Sequence, residues 1–521
     1  MGIYFNPGND LFRIAVNSQI YVDKSELISV TNSLLNTEGR HICISRPRRF
    51  GKSMTANMLS AYYSRGCDSR ELFSGLKISG SADFSKHLNK YNVIHFSTKD
   101  FAELTDNISE MINLLNKTLL KELIREYPDI DYLDNSILSM VLTDIYNKCR
   151  IPFVFIIDEW DCVFRSYDND SEGQQKYLNF LRNILKDKPY VALNYATGIF
   201  PVKKYGEHSA LNMYDEFSMA NQAQFAEYTG FTVEDVSALC RKYEMPFDEM
   251  ALWYDGYKVN GFDLYNPRSV VRAVTTGIFD SYWTKTETFE ALKLYIKLDM
   301  DGLRGKVIQM IAGEHIVVNT GKFQNDMVNL NSADDVLTLL IHLGYLTYDF
   351  DTKTAWIPNK EVQQEFINCI EDGGWDEVMN SLRQSDELLK ATLACDSDTV
   401  AEILESVHQQ NTSIIGYSNE MSLSVTLSLA YYSARNNYEI FRELPSGKGF
   451  ADLTFIPRKG VDAPAMVIEL KYNNSADDAL EQIKQKNYTE KLSAFSGEIL
   501  LVGISYDDNK GHTCIIKKIS K

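Results

Sequence analysis

The sequence predicts an α/β protein: a parallel sheet built around an anion-binding turn, a mostly helical middle, and a smaller α/β module at the C-terminal end. Three stretches predict it. His41-Ile-Cys-Ile-Ser-Arg-Pro-Arg-Arg-Phe-Gly-Lys-Ser-Met-Thr55 reads as strand, turn and helix start. Ile151-Pro-Phe-Val-Phe-Ile-Ile-Asp-Glu-Trp-Asp161 is a continuous apolar run ending in acids, the pattern of a strand covered on both faces of a parallel sheet. Ala465-Met-Val-Ile-Glu-Leu-Lys-Tyr472 is a further apolar strand, with two charges spaced to share one face.

Composition bounds the reading. The 521 residues are too many for one ordinary core, so two to four domains are expected. With 44% hydrophobic and 24% charged residues the chain reads as globular and soluble. No run approaches the length of a membrane span, and neither a secretion signal nor a myristoylation pattern is read at Met1–Pro7, so a cytoplasmic setting without membrane contact is expected. The eight cysteines are scattered without a C-x-x-C and read as reduced thiols. The net charge of −18 is unevenly placed: residues 411–521 hold thirteen basic and thirteen acidic groups, and the acids of residues 1–410 carry the whole excess. An acidic body argues against a broad non-specific nucleic-acid surface there, whereas the neutral C-terminal module leaves local binding open.

Element by element, residues 25–35 have helical apolar spacing, and Thr37-Glu-Gly-Arg40 turns into the first strand. Gly51-Lys52-Ser53 then opens a helix. Backbone N–H groups at a helix start attract anions, a Lys there reaches outer phosphates, and a Ser hydroxyl can hold Mg²⁺. The general phosphate-loop pattern has Gly where this chain has Arg46. Arg49, Phe50 and Met54 complete the expected nucleotide-binding stretch, although Met54, Met58 and Tyr62 also read as a buried helical stripe. Tyr91-Asn-Val-Ile-His-Phe96 is the next strand, and residues 101–125 an amphipathic helix.

About 105 residues after the loop, Asp158 ends the apolar strand where such an acid holds Mg²⁺ through water, and Glu159 is placed to orient and deprotonate an attacking water. Tyr190-Val-Ala-Leu-Asn-Tyr-Ala-Thr-Gly198 is a third strand; Thr197 reads either as a phosphate sensor or as a plain turn former. Lys203 and Lys204 reach phosphate or a neighbouring subunit, or are simply solvated.

Here the chain resembles a bacterial AAA-ATPase-like family with a C-terminal PD-(D/E)XK nuclease-like domain. The resemblance is carried by Tyr21-Val-Asp-Lys24, Arg46-Pro-Arg-Arg-Phe-Gly-Lys-Ser53, Asp158-Glu-Trp-Asp161 and Thr197-Gly198. His208-Ser-Ala-Leu-Asn-Met213, Trp253-Tyr-Asp-Gly-Tyr257 and Leu264-Tyr-Asn-Pro267 add to it. It implies a P-loop NTPase sheet, ATP as the nucleotide, and an Arg at position 46 as the family's own usage.

Residues 231–300 read as short helices, with Thr232 and Asp235 in an N-cap arrangement and the aromatics of 253–265 as the core of a helical lid. Residues 331–370 have the helix, strand, strand, helix order of a winged-helix-like unit, followed by an acidic helical linker to about 410. The expected divisions are 1–230, 231–330, 331–418 and 419–521.

The last division begins with a helix carrying Glu420. Strands Tyr438-Glu-Ile-Phe-Arg-Glu-Leu444 and Phe450-Ala-Asp-Leu-Thr-Phe-Ile456 follow around the Gly-rich turn Pro445-Ser-Gly-Lys-Gly449, then 465–472, a helix over 476–488 and a strand over 498–504. Glu469 and Lys471 share a strand face, Ile468 and Leu470 face a core, and Asp452, seventeen residues before Glu469, lies on the neighbouring strand. Two carboxylates can hold Mg²⁺, whose bound water Lys471 positions or deprotonates. This αβββαβ order resembles the restriction-endonuclease-like domain of the same family. By that resemblance Glu420 is an accessory metal ligand, and Gln482 and Tyr488 support the site. The reading as a whole is an ATP-driven switch on a Mg²⁺-dependent nuclease acting on nucleic acid, in defence against or processing of foreign DNA by family analogy. The alternative is a regulatory protein in which one site binds without turnover. The oligomeric state stays open.

Overall fold

A computed structural model describes residues 2–202, 211–220, 225–259, 261–283, 300–323, 330–373, 375–415, 420–445, 450–485, 495, 497–507 and 511–520, with side chains for all but 322, 411–415, 420–423, 443–445, 450–452, 485 and 520. The chain forms two compact units, 1–288 with 317–363 and 289–316 with 364–521.

The first unit is built on strands β1 (His41–Ser45), β2 (Asn92–Ser97), β3 (Phe153–Asp158), β4 (Val191–Gly198) and β5 (Asp215–Phe217), all parallel, in the order β2-β3-β4-β1-β5. Alternation sends successive side chains to opposite faces, and helices cover both. Ile42, Ile44, Val154 and Ile156 pack under helix α1 (Lys52–Tyr63), while Phe153, Phe155 and Ile157 pack under α2 (Ile108–Glu126), α3 (Leu138–Cys149) and α4 (Ser171–Leu185). This double covering is why β3 reads as an unbroken apolar run. Two expectations are corrected. In the stripe on α1, Met58 and Tyr62 are buried but Met54 is exposed, because it lies in the first turn, at the cavity described below. The amphipathic helix starts at Ile108 rather than 101, because the Asn107 side chain accepts the Glu110 N–H at 2.9 Å and caps it there; Thr98–Ala102 is a separate short helix.

Beyond the sheet, Thr232 and Asp235 form the expected capping box at the start of α5 (Val233–Tyr243), followed by α6 (Phe247–Tyr254). The stretch after α6 is not helical. Phe231–Thr232 (β6), Tyr257–Val259 (β7) and Phe262–Tyr265 (β8) form a small antiparallel sheet, since alternating β-formers flank Gly261, whose φ of +78° suits a tight turn. Tyr254, Tyr257 and Tyr265 are buried, as their reading as core requires. Helix α7 (Pro267–Thr276) follows, then α8 (Ala333–Leu343), the antiparallel pair β9 (Thr347–Asp349) and β10 (Thr354–Trp356), and α9 (Lys360–Gly373).

In the second unit, α10 (Asp376–Leu393), α11 (Ser397–Ile415) and α12 (Glu420–Ala430) precede the sheet. Its strands are β11 (Tyr438–Pro445), β12 (Phe450–Pro457), β13 (Ala465–Tyr472), β14 (Glu498–Asp507) and β15 (Gly511–Ser520), in that spatial order. Only β13 and β14 run parallel, and α13 (Ala476–Gln485) makes the crossover that parallel neighbours require. Met466, Ile468 and Leu470 pack beneath α10–α12; Ala465 and Val467 pack beneath α13. The final strand β15 escapes the apolar-run signal because Lys517 and Lys518 interrupt it.

Candidate functional site

In the first unit, the carboxyl ends of β1, β3 and β4 meet where the strand order departs from the chain order, which is where open α/β sheets bind ligands. The loop after β1 turns into α1 at Gly51, whose φ of +88° a side chain would strain. Lys52 is 8% exposed, and its Nζ donates to the carbonyls of Arg46 (2.9 Å) and Pro47 (2.8 Å), closing the loop. Burial pulls its pKa down to about 8 against the opposing pull of Asp158, Asp161 and Glu159. Ser53 and Met54 are exposed at the helix start. Phe50 turns its ring into the core against Tyr257, 5.1 Å between centroids, and its carbonyl accepts the Gly230 N–H, so it anchors the loop.

Arg46 has a defined place. Its guanidinium is fully buried, and Nη1 donates to the Ser45 carbonyl (2.9 Å) and to that of Phe217 on β5 (3.0 Å). The side chain that replaces the usual glycine points into the protein and ties the loop to the edge strand. Burial lowers its pKa to about 10.

At the end of β3, the Thr197 hydroxyl donates to Asp158 Oδ1, which also accepts the Glu159 N–H at 3.0 Å. Thr197 is thus bonded to the acid of the neighbouring strand rather than left as a bare turn former. Glu159 sits at φ +48°, with Arg165 Nη2 3.4 Å from its carboxylate. Asp161, the last residue of the Asp158-Glu-Trp-Asp161 motif, is fully buried and accepts the N–H groups of Ile199 and Phe200, both at 3.0 Å. Gly198 has no room for a Cβ, which would fall 2.7 Å from Trp160 Nε1.

A cavity of about 630 Å³ opens beside this loop. Its lining combines apolar side chains (Phe12, Ile20, Val22, Tyr228, Phe231) with basic ones (Arg48, Arg49, Lys52, Arg268, Arg272), and includes Ser53 and Glu159. An apolar group and a polyanion both find partners in such a lining, and the volume suits a ligand of nucleotide size. Arg268 and Arg272 were missed from the sequence. The signal was Asn266-Pro267: the Asn266 side chain accepts the N–H groups of Arg268 and Ser269 and caps α7, so both arginines fall on the cavity side of its first turns. Lys203, Lys204 and His208 lie outside the described residues.

In the second unit, Glu469 is buried (2% exposed) on the central strand β13, and Lys471 Nζ lies 3.5 Å from its Oε1. Leu453 of β12 pairs with Ile468, so continuing the register by one residue sets Asp452 opposite Glu469. Gly503 pairs with Glu469 from β14, and a Cβ there would fall 2.4 Å from the Ala476 carbonyl, so this glycine admits the start of α13 close to the sheet. Gln482 is half-buried on α13. Glu420 begins α12, a helix that packs through Leu427 and Ala430 on the Ile468–Leu470 side of the sheet. The side chains of Asp452 and Glu420, the turn at 446–449 and Tyr488 lie outside the described residues. No described helix is long and apolar enough to cross a membrane.

Residues 9–206 match the family described as "Predicted AAA-ATPase", and residues 424–516 match the PD-(D/E)XK nuclease superfamily. A curated relative, an uncharacterised protein from the vnfD 5′ region of Azotobacter chroococcum mcd 1, is 24% identical over 93% of this chain and 92% of its own. Among solved structures, a Walker-type ATPase of Pyrococcus abyssi is 13% identical at a TM-score of 0.34, covering 66% of this chain and 94% of that one. The ORC2 protein of Aeropyrum pernix, in ADPNP and ADP complexes, is 11% identical at a TM-score of 0.30, covering 68% and 97%.

Proposed function

From a chain that joins an AAA-ATPase-like domain to a PD-(D/E)XK nuclease-like domain, we propose that ATP binding and hydrolysis in the first govern a Mg²⁺-dependent phosphodiesterase in the second. The observation that carries the nucleotide half is the cavity at Gly51, Lys52 and Ser53, lined by both apolar and basic side chains. In this reading Lys52 exchanges its carbonyl partners for phosphate oxygens, while Ser53 and Asp158 hold the ion. Bound Mg²⁺ supplies charge neutralisation to the phosphates. Glu159 takes the proton of the attacking water once it leaves Arg165, and Thr197 keeps Asp158 oriented. Arg268 and Arg272 meet the phosphate charge from α7.

The second half rests on Glu469 and Lys471 side by side on β13, with Asp452 next in chain to Leu453, which pairs with Ile468. A carboxylate pair with a lysine suits metal-dependent water activation on a phosphodiester, and nucleic acid is the corresponding substrate class. Glu420 takes a lesser share, since its helix covers the other face of the sheet, and Gln482 and Tyr488 are assigned to support. A role in defence against or processing of foreign DNA belongs to the same proposal.

The test is direct. Wild-type protein with Mg²⁺ and ATP is expected to cut at least one of plasmid DNA, single-stranded DNA and RNA, and a Glu469→Ala/Lys471→Ala variant none. Equal survival of all three substrates with both proteins overturns the nuclease assignment. Lys52→Ala is expected to abolish ATP binding and Glu159→Gln to retain ATP unhydrolysed; unchanged turnover in both removes the first site from the mechanism and leaves the regulatory alternative.

A further inference from the structure

Apart from both sites, the second unit holds a third cluster of chemistry-bearing side chains. Glu405 and His408 on α11 and His512 on β15 bring one donor atom each to within 4.8 Å of one another. The i, i+3 spacing puts the first two on one face of the helix. One oxygen of Glu405 accepts the His512 backbone N–H (3.1 Å) and lies 2.7 Å from its Nδ1; the other accepts the Gln409 amide at 2.9 Å. His408 is 4% exposed, its ring 4.3 Å from that of Tyr506 and 5.0 Å from that of His512. Gly511 makes the approach close: its φ is +72°, and a Cβ there would lie 3.0 Å from the Glu405 carboxylate.

We propose that Glu405, His408 and His512 bind a divalent transition metal of the zinc class, which staples α11 to the terminal β14–β15 hairpin. Two imidazoles and one carboxylate with an open fourth position are a common zinc donor set, and nitrogen-rich sites select zinc-like ions over Mg²⁺, which prefers oxygen ligands. Ligand atoms around a tetrahedral ion with bonds of ~2.0–2.2 Å stand roughly 3.3–3.5 Å apart. The Glu405–His512 pair therefore has to open by less than about 1 Å, and His408 to close by up to roughly 1.5 Å. Gln409, on the other carboxylate oxygen, keeps Glu405 oriented as an outer-shell partner does.

The experiment strips full-length protein with a chelator and titrates it with Zn²⁺ by calorimetry and with Co²⁺ by visible absorption. One equivalent is expected to bind, and the Co²⁺ form to show the strong visible bands of a four- or five-coordinate ion. His408→Ala and Glu405→Gln, checked for fold by circular dichroism, are expected to weaken Zn²⁺ binding by at least about a hundredfold, whereas Asp452→Asn/Glu469→Gln retains it. Uptake unchanged in His408→Ala, or uptake lost only in the Asp452/Glu469 variant, overturns the assignment and leaves a histidine–carboxylate pair that tethers helix to hairpin. If the alanine variant fails to fold, His408→Gln and the wild-type Co²⁺ spectrum decide; weak octahedral bands or none refute the site.

Discussion

Arg46 is the residue that departs furthest from the general phosphate loop, and restoring glycine there tests what it does. Arg46→Gly removes a buried guanidinium whose Nη1 serves the Ser45 and Phe217 carbonyls, and leaves a hole between the loop and β5. The expected result is a loss of about 2–3 kcal/mol in the stability of the first unit and weaker ATP binding, read by thermal denaturation and calorimetry. A variant as stable as wild type would show that Arg46 is incidental. Lys52 gives a pH signature. Its folded-state pKa of about 8 lies below the ordinary lysine value of 10.5. Between these values the unfolded chain binds more protons, so this group's contribution to stability rises with pH across that window and is absent below it. Phosphate at the amino group reverses the preference. ATP binding near pH 9 is therefore expected to take up a proton, measurable as a buffer-dependent binding enthalpy, and no such dependence would place phosphate elsewhere. Gly51-Lys52-Ser53, Asp158 and Glu159 were legible because their chemistry is written in contiguous residues at strand ends. Arg46 was visible only as an anomaly, because its partner Phe217 lies 171 residues away. The Thr197–Asp158 bond was half legible: the hydroxyl stood out, but its partner is set by the adjacency of β3 and β4.

At the scale of elements, the strands with apolar runs were legible in place and nearly in length, since burial on both faces leaves little freedom in composition. The segments that defeated the reading are those whose structure depends on a neighbour. The strands β7 and β8, three and four residues long, are too short to set a period of their own in a region that reads as short helices, and β15 hides behind paired lysines. Helix α8 shows how an element apart in sequence reaches the site. It ends at Gly344, with φ +88°, where a Cβ would fall 2.7 Å from Pro47 of the phosphate loop; the Gly344 carbonyl also accepts the Tyr257 hydroxyl at 2.9 Å. Gly344→Ala meets both a left-handed backbone and a backbone-anchored neighbour. It is expected to cost about 1–3 kcal/mol and to weaken ATP binding by displacing Pro47, whose carbonyl holds Lys52. Intact affinity in a destabilised variant would confine the effect of α8 to folding.

At the scale of the molecule, each unit has its own sheet and its own core, yet the chain crosses between them three times, near residues 288, 316 and 363. The proposed nucleotide control of the second site requires the two units to be energetically coupled. Coupling is a free energy between two sites, so it has to be visible at equilibrium as a response of the second unit to a ligand of the first. Hydrogen exchange of the full-length protein with and without Mg·ATP reads this by segment. Protection is expected in peptides covering 46–58 and 158–165, together with a change in either direction in those covering 465–472, the strand of Glu469 and Lys471. Lys52→Ala should erase both responses, and Glu159→Gln should hold them while ATP is present. Protection confined to the first unit would leave ATP binding intact and refute its control of the nuclease-like site, because a ligand with no differential effect on that strand cannot shift its activity.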